Sequence, residues 1–226
     1  MTGTQILVTT LISIIMAYLI GGIPFGLLLG LMRGVDIRTQ GSGNIGATNA
    51  GRVLGMRYFW YAFVLDFLKG FAPVLVVDLI VRHWHGPMWL PLATAAAAIF
   101  GHVFPCYLKF KGGKGVATTF GVVMGVWPVL TLAGLGAALI FLLVFLVYRI
   151  ISLSSLVGVV VFMTLIPIIG HDIGPIDGFL YPQPWAKLAP LIFTGCLIGA
   201  LIIIKHRSNI RRLLNGTEPR MGEKHK

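Results

Sequence analysis

Residues 128–148 have the sequence PVLTLAGLGAALIFLLVFLVY, twenty-one residues without a charged side chain. About 20 apolar residues in a helix cross the hydrocarbon core of a bilayer. The whole chain has the same character, because 57% of its 226 residues are hydrophobic, 11% are charged, and the mean hydropathy is +0.89. Soluble globular chains are much less hydrophobic and more charged. The sequence therefore predicts an integral membrane protein.

Six further apolar stretches are candidate membrane spans, and they lie near 5–32, 58–81, 88–108, 116–126, 152–170 and 187–204. The first stretch is too long for a cleaved signal peptide and is predicted to be retained. The stretch 116–126 is short, and Trp127 and Pro128 separate it from the next one, so we predict a tilted span or one that crosses a thinned part of the bilayer. Residues 1–226 are predicted to form a single polytopic, all-α membrane domain of about seven transmembrane helices.

The positions of the basic residues predict how these spans are oriented. Seven spans place fifteen of the eighteen Lys and Arg residues on one side, in the segments 33–57, 109–115, 149–151 and 205–226. Basic loops stay in the cytoplasm, so the N-terminus is predicted outside and the C-terminus inside. The net charge of +11 is thereby explained by membrane orientation. We predict no nucleic-acid partner.

The first polar loop, residues 41–52, has the sequence GSGNIGATNAGR. Backbone N–H groups that converge at glycines bind phosphate oxygens, and an arginine adds a bidentate contact. The predicted ligands are Gly41, Ser42, Gly43, Asn44, Gly46, Thr48, Asn49 and Arg52. A flexible linker needs no such density of glycines and small donors. A dinucleotide-binding loop also has the G-x-G-x-x-G spacing, but it follows a strand, whereas a membrane helix precedes this one.

The second loop, residues 109–119, has the sequence KFKGGKGVATT and places lysines around a glycine pair. It is not a Walker P-loop, because Leu108 stands where the first glycine is required and Gly115 stands where Ser or Thr is required. Lys109 is expected to extend toward lipid head groups. Lys114, with Gly112 and Gly113, is the predicted phosphate ligand.

The third basic segment, residues 205–216, has the sequence KHRSNIRRLLNG. His206 and Asn209 are three residues apart, so they share one face of a helix. Arg211 and Arg212 are equally compatible with a cytoplasmic retention signal and with ligand binding. The serines of residues 152–155 add a fourth polar patch. We predict that these segments converge on one interfacial site for a substrate with several negative charges and an apolar part.

A carboxylate-assisted histidine base is not predicted by these motifs. In a His-x-x-x-x-Asp motif the carboxylate orients the histidine, but here Tyr107 stands five residues after His102 and Arg211 five after His206. None of the segments 41–52, 101–118 and 205–217 contains Asp or Glu. His102 is compatible with a substrate contact and with a bond to a backbone carbonyl freed near Pro105.

Asp66 and Lys69 lie three residues apart inside a predicted span. Ionisable residues at such depth are commonly functional. They can also neutralise each other along one helix face. Both alternatives stay open at the level of sequence.

Three motifs resemble a known family when they are taken in order. They are GSGNIGATN in the first loop, GHxxP at residues 101–105 followed by KGGKGVAT, and HRxNIxRL from residue 206. The chain resembles the bacterial acyl-phosphate:glycerol-3-phosphate acyltransferases. The resemblance implies an inner-membrane enzyme that transfers a fatty acyl group from acyl phosphate to the 1-hydroxyl of glycerol 3-phosphate. Its products are lysophosphatidic acid and phosphate, in the first step of bacterial phospholipid synthesis.

The resemblance also implies residue roles. Ser42, Arg52, Lys114, His206 and Asn209 are implied to be catalytic, with substrate contacts from the motif glycines, the other polar residues of the first loop, His102 and Ser155. It implies no metal and no cofactor. The implied partners are the two substrates and membrane lipid, and no oligomeric state is predicted.

The mechanism expected from these residues is positioning. Arg52, Lys114 and loop amides hold the phosphates, while Asn209 donates to the carbonyl oxyanion. Either His206 or the phosphate of the acceptor takes the hydroxyl proton.

Two other functional classes explain part of this sequence. A transporter for phosphate esters would place its ligand groups near the membrane midplane between repeated halves, and no repeat is visible in the sequence. A lipid-binding scaffold explains the positive charge but not the glycine and asparagine spacing.

Overall fold

A computed structural model describes residues 2–172 and 185–222. The regular structure of this part is entirely helical. The helices are α1 (Gly3–Gly22), α2 (Phe25–Leu31), α3 (Ala47–Leu54), α4 (Met56–His83), α5 (Trp89–Val103), a 3₁₀ turn (Cys106–Leu108), α6 (Val116–Met124), α7 (Val129–Tyr148), α8 (Ile151–Asp172), α9 (Trp185–Lys205) and α10 (Arg207–Leu214). The predicted all-α class is therefore confirmed for the described residues.

The contacts divide the chain into two compact units. Unit 1 is Met1–Trp127 and contains α1 to α6, and unit 2 is Pro128–Lys226 and contains α7 to α10. The first two motif loops belong to unit 1, and the third motif belongs to unit 2. The prediction of a single membrane domain stays a prediction.

Five helical segments are long and apolar enough to cross a membrane, among the residues that the structure describes. They are Gly3–Leu31, Trp89–Leu108, Val129–Tyr148, Ile151–His171 and Leu188–Lys205. Helix α4 has 28 residues, but it contains Asp66, Lys69 and Asp78. Helix α6 has nine residues and is about 14 Å long, roughly half the hydrocarbon thickness. The chain is thus a multi-pass membrane protein, while the count of seven spans stays a prediction.

The first predicted span, 5–32, consists of two helices. Pro24 has no backbone N–H and restricts the residue before it, and Ile23 is extended with φ −60° and ψ 118°. Helix α1 therefore ends at Gly22, and α2 begins at Phe25. The carbonyl oxygen of Ile23 lies at this break and accepts from the Phe25 N–H at 3.1 Å.

Glycines bring the helices of unit 1 into backbone contact. A Cβ atom on Gly101 of α5 would overlap the carbonyl oxygen of Tyr18 in α1, and one on Gly21 would overlap that of Ala98. Helices α4 and α6 meet in the same way, because a Cβ on Gly121 would overlap the carbonyl oxygen of Phe67. Such small residues let membrane helices approach closely, where dispersion replaces the hydrophobic effect as the driving force.

Unit 2 is formed by α7, α8 and α9 packed in sequence. Gly195 and Gly199 of α9 lie directly against the side chains of Ile166 and Met163 of α8. Helix α9 ends at Lys205, and α10 follows after His206.

Candidate active site

The first motif loop is held to unit 1 by apolar side chains. Ile37 and Ile45 are buried in a core cluster with Leu27 of α2 and with Ala50 and Ala62. A Cβ atom on Gly26 of α2 would overlap the carbonyl oxygen of Ile45. The loop is therefore packed against α2 and is not a flexible linker.

Half of the predicted loop 41–52 is a helix. Gly46 is the N-cap of α3, and the Asn44 side chain accepts a hydrogen bond of 2.9 Å from the Gly46 N–H. Asparagine favours this local bond, which fixes the turn that starts the helix. Thr48, Asn49 and Arg52 therefore lie on α3, and the prediction that they belong to a loop is wrong.

Asn49 organises the backbone of the first motif. Its Nδ2 donates to the carbonyl oxygens of Ile37 at 2.7 Å and Gln40 at 3.2 Å, and its Oδ1 accepts from the Ser42 N–H at 2.7 Å. The side chain is 1% exposed. Gly41 has φ +59°, and a Cβ there would overlap Asn49 Oδ1. Asn49 thus shapes the turn around Ser42, and its direct contact with substrate stays a prediction.

Ser42, Gly41 and Gly43 are exposed, as is Arg52. Arg38, which precedes them, is paired with Asp36 at 2.7 Å. Hydrogen bonds from Arg38 lower the pKa of Asp36 to about 2. The Arg38 charge is therefore offset locally, whereas Arg52 lies in the last turn of α3.

The second motif loop is built on the end of α5. The Gly112 N–H donates to the carbonyl oxygen of Val103 at 3.2 Å, and the Gly113 N–H donates to that of His102 at 3.1 Å. A Cβ on Gly113 would overlap His102 Nε2, so only glycine fits against the imidazole. Gly115 has φ +84° and starts α6. The half-buried Lys114 lies between these fixed glycines.

His102 lies in the interior of unit 1. Its side chain is 5% exposed, and its Nδ1 lies 3.1 Å from the Thr118 hydroxyl oxygen. The partner of Nδ1 in this contact is thus a hydroxyl, whereas one of the two sequence interpretations is a bond to a backbone carbonyl near Pro105. The predicted contact of His102 with substrate stays a prediction.

The third motif spans a break between two helices. His206 is the N-cap of α10 with φ −95° and ψ 5°, so α9 and α10 are not one continuous helix. Both His206 and Asn209 are buried, at 2% and 4% exposure. His206 Nδ1 lies 2.8 Å from the carbonyl oxygen of Ile202. Because a carbonyl only accepts, Nδ1 carries the proton in this contact and Nε2 is the acceptor nitrogen of the neutral ring.

Glu218 is a functional candidate that sequence reasoning missed. Its Oε1 accepts from the Ser152 hydroxyl and the Asn209 amide, each at 2.6 Å, and its Oε2 accepts from Arg212 at 2.6 Å. Burial raises the pKa of Glu218, but the hydrogen bonds from Ser152, Arg212 and Asn209 outweigh it and hold the pKa below its usual value. The carboxylate lies one residue beyond the third motif segment, 205–217, which contains no Asp or Glu.

The serine patch divides into two kinds of residue. Ser152 binds Glu218, whereas the hydroxyls of Ser154 and Ser155 donate to the carbonyl oxygens of Ile150 at 2.9 Å and Ile151 at 2.8 Å. Such bonds satisfy a buried hydroxyl within its own helix. The predicted role of Ser155 in binding substrate stays a prediction.

Each unit holds part of the predicted site. In unit 1, glycine turns, Ser42, Arg52 and Lys114 present N–H groups, a hydroxyl and cations, which suits phosphate esters. In unit 2, the Glu218 cluster joins the third motif to the serine patch. The predicted convergence of the third motif with the first two stays a prediction.

Comparisons with known proteins agree with this chemistry. The sequence model of a family described as glycerol-3-phosphate acyltransferase matches residues 11–216. A glycerol-3-phosphate acyltransferase of Aquifex aeolicus (strain VF5) is 40% identical over 210 residues, which are 93% of this chain and 98% of the relative. One of Geobacter metallireducens (strain ATCC 53774 / DSM 7210 / GS-15) is 50% identical over 204 residues, which are 90% of this chain and 93% of the relative.

Two solved structures have a similar fold. Both are of PlsY (YgiH), described as an integral membrane glycerol 3-phosphate acyltransferase, and both are 40% identical to this chain. The glycerol 3-phosphate form has a TM-score of 0.79 over 94% of this chain and 96% of the other. The lysophosphatidic acid form has a TM-score of 0.77 over 94% and 95%.

Proposed function

The chain belongs to the glycerol-3-phosphate acyltransferase family, and from this premise we propose that it transfers a fatty acyl group from acyl phosphate to the 1-hydroxyl of glycerol 3-phosphate. The products are 1-acylglycerol 3-phosphate, which is lysophosphatidic acid, and inorganic phosphate. One observation carries the proposal: the exposed Ser42 lies in a turn between Gly41 and Gly43, which both have positive φ and suit a phosphate ester. The solved relative in its glycerol 3-phosphate and lysophosphatidic acid forms supports the choice of acceptor and product.

An acyl phosphate donor fits the groups that the motifs supply. Phosphate is a good leaving group, so the enzyme mainly needs to position two anions and stabilise the charge that develops on the carbonyl oxygen. The motifs supply cations, amides and hydroxyls for that task. Glu218 accepts hydrogen bonds from Ser152, Asn209 and Arg212, so we assign it a structural role in unit 2 and not the role of a base.

The bond changes balance without a further reactant. The acceptor hydroxyl oxygen forms a bond to the acyl carbonyl carbon, and the bond between that carbon and the phosphate oxygen breaks. The hydroxyl proton leaves on a phosphate oxygen or on a histidine nitrogen. Each turnover therefore releases one phosphate for each ester formed.

Residues of unit 1 are proposed to bind the phosphates. Ser42 donates a hydrogen bond from its hydroxyl, beside the backbone N–H groups of its turn. Arg52 supplies a bidentate guanidinium, and Lys114 supplies a point charge between Gly113 and Gly115. Asn44, Gly46 and Thr48 complete the first motif at the start of α3. The N-terminus of a helix favours anions in this way, because its free N–H groups and the helix dipole attract negative charge.

Residues of unit 2 are proposed to act on the acyl group and the proton. Asn209 is proposed to donate to the carbonyl oxyanion, and its hydrogen bond to Glu218 orients the amide. The Nε2 atom of His206 has the acceptor tautomer that a base requires. The alternative proton acceptor is the phosphate of glycerol 3-phosphate, which needs no protein base.

A His206→Gln variant separates these two routes. If the acceptor phosphate takes the proton, kcat stays within about threefold of the wild type, because glutamine retains a hydrogen-bonding group at this position. If His206 is the base, kcat falls by about 100-fold or more, since positioned bases contribute at least that much. Retained folding is checked by size-exclusion chromatography.

We also propose that the protein lies in the bacterial inner membrane with its motif loops in the cytoplasm. Seven crossings are proposed, with α4 as a charged span and α6 as a short one. The charges of α4 support this, because Asp66 pairs with Lys69 at 2.6 Å and Asp78 pairs with Arg82 at 2.6 Å. Paired charges are the form in which ionisable residues occur inside membranes.

The decisive experiment uses the purified protein reconstituted in lipid vesicles. Acyl phosphate and glycerol 3-phosphate are supplied, and phosphate release and lysophosphatidic acid are measured together, with Lys114→Ala as the comparison. We expect equal amounts of both products, dependent on the acceptor, and a strong loss in the variant. No product from the wild type would contradict the proposal, and labelled glycerol 3-phosphate entering the vesicles would favour a transporter instead.

A further inference from the structure

A chain of buried polar side chains lies between the two motif loops of unit 1. Asp66 and Lys69 of α4 are 3% and 2% exposed at their side chains, and Lys69 Nζ lies 2.6 Å from Asp66 Oδ1. Removing two charges from water is costly, and their mutual attraction offsets that cost only with good geometry and further hydrogen bonds. The further contacts of this pair therefore indicate what it does. The set Asp66, Lys69, His102 and Thr118 is called the buried network below.

One end of the buried network holds the helix break before the first motif loop. Lys69 Nζ donates to the carbonyl oxygen of Ile23 at 2.6 Å and lies 5.6 Å from the centre of the Phe25 ring. Ile23 is the extended residue between α1 and α2. Since α2 packs through Gly26 against Ile45 of the first motif loop, Lys69 fixes the helix that supports this loop.

The other end of the buried network holds the second motif loop. Asp66 Oδ1 lies 3.9 Å from His102 Nδ1, and the same nitrogen lies 3.1 Å from the hydroxyl oxygen of Thr118. Thr118 stands in the first turn of α6, directly after the glycine loop, and is fully buried. The imidazole of His102 is packed against Gly113, whose N–H also bonds to the His102 carbonyl.

The backbones of α4 and α6 are in direct contact beside the buried network. A Cβ atom on Gly70, the residue after Lys69, would overlap the carbonyl oxygen of Thr118. Helix α4 thus contacts the start of α6 through its backbone and through the side chain of Asp66 near His102. Neither loop can shift without disturbing buried polar contacts, which tolerate little displacement.

We propose that the buried network is a positioning device that holds both phosphate-binding loops of unit 1 in the geometry required for substrate binding. This inference rests on the proposed function, because it assigns to these loops the phosphate groups of the substrates. Asp66, Lys69 and Thr118 act through the loops and are positioning residues, whereas the predicted contact of His102 with substrate is a separate prediction. The loss of these positioning residues is expected to weaken substrate binding more than it slows the chemical step.

Two pairs of variants test this proposal by steady-state kinetics in vesicles. Thr118→Val removes the hydroxyl and keeps the shape, whereas Thr118→Ser keeps the hydroxyl and removes a methyl group. Asp66→Asn removes the charge next to Lys69, whereas Asp78→Asn removes the other buried carboxylate of α4, which pairs with Arg82. The Asp78 variant is the matched control, since the side chains of Asp66 and Asp78 are both buried, at 3% and 2% exposure, and both are ion-paired.

We expect Thr118→Val and Asp66→Asn to raise the KM for glycerol 3-phosphate or acyl phosphate about tenfold, because small displacements of positioning groups have effects of this size. The kcat should change by less than about threefold, and Thr118→Ser and Asp78→Asn should keep the wild-type KM. Unchanged KM values for both substrates in the folded Thr118→Val variant would overturn the proposal, even if Asp66→Asn does not fold. A wild type without acyl transfer would instead refute the proposed function.

Discussion

Glu218 is the residue whose side chain ties together the polar part of unit 2. It accepts from a serine of α8, an asparagine of α10 and the guanidinium of Arg212, all at 2.6 Å. A buried acceptor that loses its charge leaves several donors poorly satisfied. The carboxylate therefore stabilises the third motif and orients Asn209.

We expect Glu218→Gln to lower the melting temperature by about 3 to 10 °C near neutral pH, since lost charge-assisted bonds cost about 1–3 kcal/mol. The pKa of Glu218 is lowered in the folded protein. Its bonds therefore stabilise the fold above the ordinary pKa of about 4.3, and this stabilisation is lost as the pH falls through the lowered value. Thermal unfolding in detergent measures the difference in melting temperature between variant and wild type, which should shrink as the pH falls below the ordinary pKa of a glutamate. A difference that grows with acidity would contradict this assignment.

Asn49 and Asn44 allow a matched comparison within the first motif. Asn49 is buried and makes three hydrogen bonds to backbone groups, whereas Asn44 is half-buried and makes one to Gly46. We expect Asn49→Ala to cost about 2–4 kcal/mol and to abolish most activity, because the turn around Ser42 loses its support. Asn44→Ala should cost about 1 kcal/mol or less, as for the loss of a helix cap. An equal decrease of melting temperature in the two variants would contradict the role of Asn49 in stabilising the turn around Ser42.

At the scale of the helices, α1 and α5 pack so closely that their backbones are in van der Waals contact. Gly101 faces the carbonyl oxygen of Tyr18 with no room for a methyl group, whereas a Cβ on Gly158 of α8 would lie 3.4 Å from the carbonyl oxygen of Ala137, an ordinary contact. Gly101→Ala should therefore destabilise the protein by about 1–3 kcal/mol through overpacking. Gly158→Ala should be neutral or slightly stabilising. The yield of monodisperse protein on size exclusion and its melting temperature decide the comparison, and a tolerated Gly101→Ala would show that the two helices can separate.

The helix boundaries show which helices the apolar pattern of the sequence predicts and which it does not. A helix lies at each predicted span, because a long apolar run has no other way to satisfy its backbone in lipid. The break at Ile23 and the helix α3 were not predicted. The first depends on Pro24 within an otherwise apolar run, and the second on a polar segment whose helix is fixed by Asn44, Gly46 and packing against α4.

At the scale of the whole molecule, the charge distribution predicts the orientation in the membrane. Single cysteines at Thr2 and Arg220, placed in a background where Cys106 and Cys196 are replaced by serine, test it. In intact spheroplasts, a membrane-impermeant maleimide should label Thr2→Cys but not Arg220→Cys, and lysis should expose both. Labelling of Arg220→Cys before lysis would contradict a cytoplasmic C-terminus.

The sequence by itself determined that this is a helical membrane protein with three phosphate-type motifs, because hydropathy and motif spacing are local properties of the chain. It also supported the family, through GSGNIGATN, KGGKG and HRxN. Only the tertiary structure decided which polar residues support the others. Asp66, 36 residues before His102, comes within 3.9 Å of it, and Ser152 bonds to Glu218 66 residues later. Such contacts depend on helix packing, which places residues together regardless of their separation along the chain.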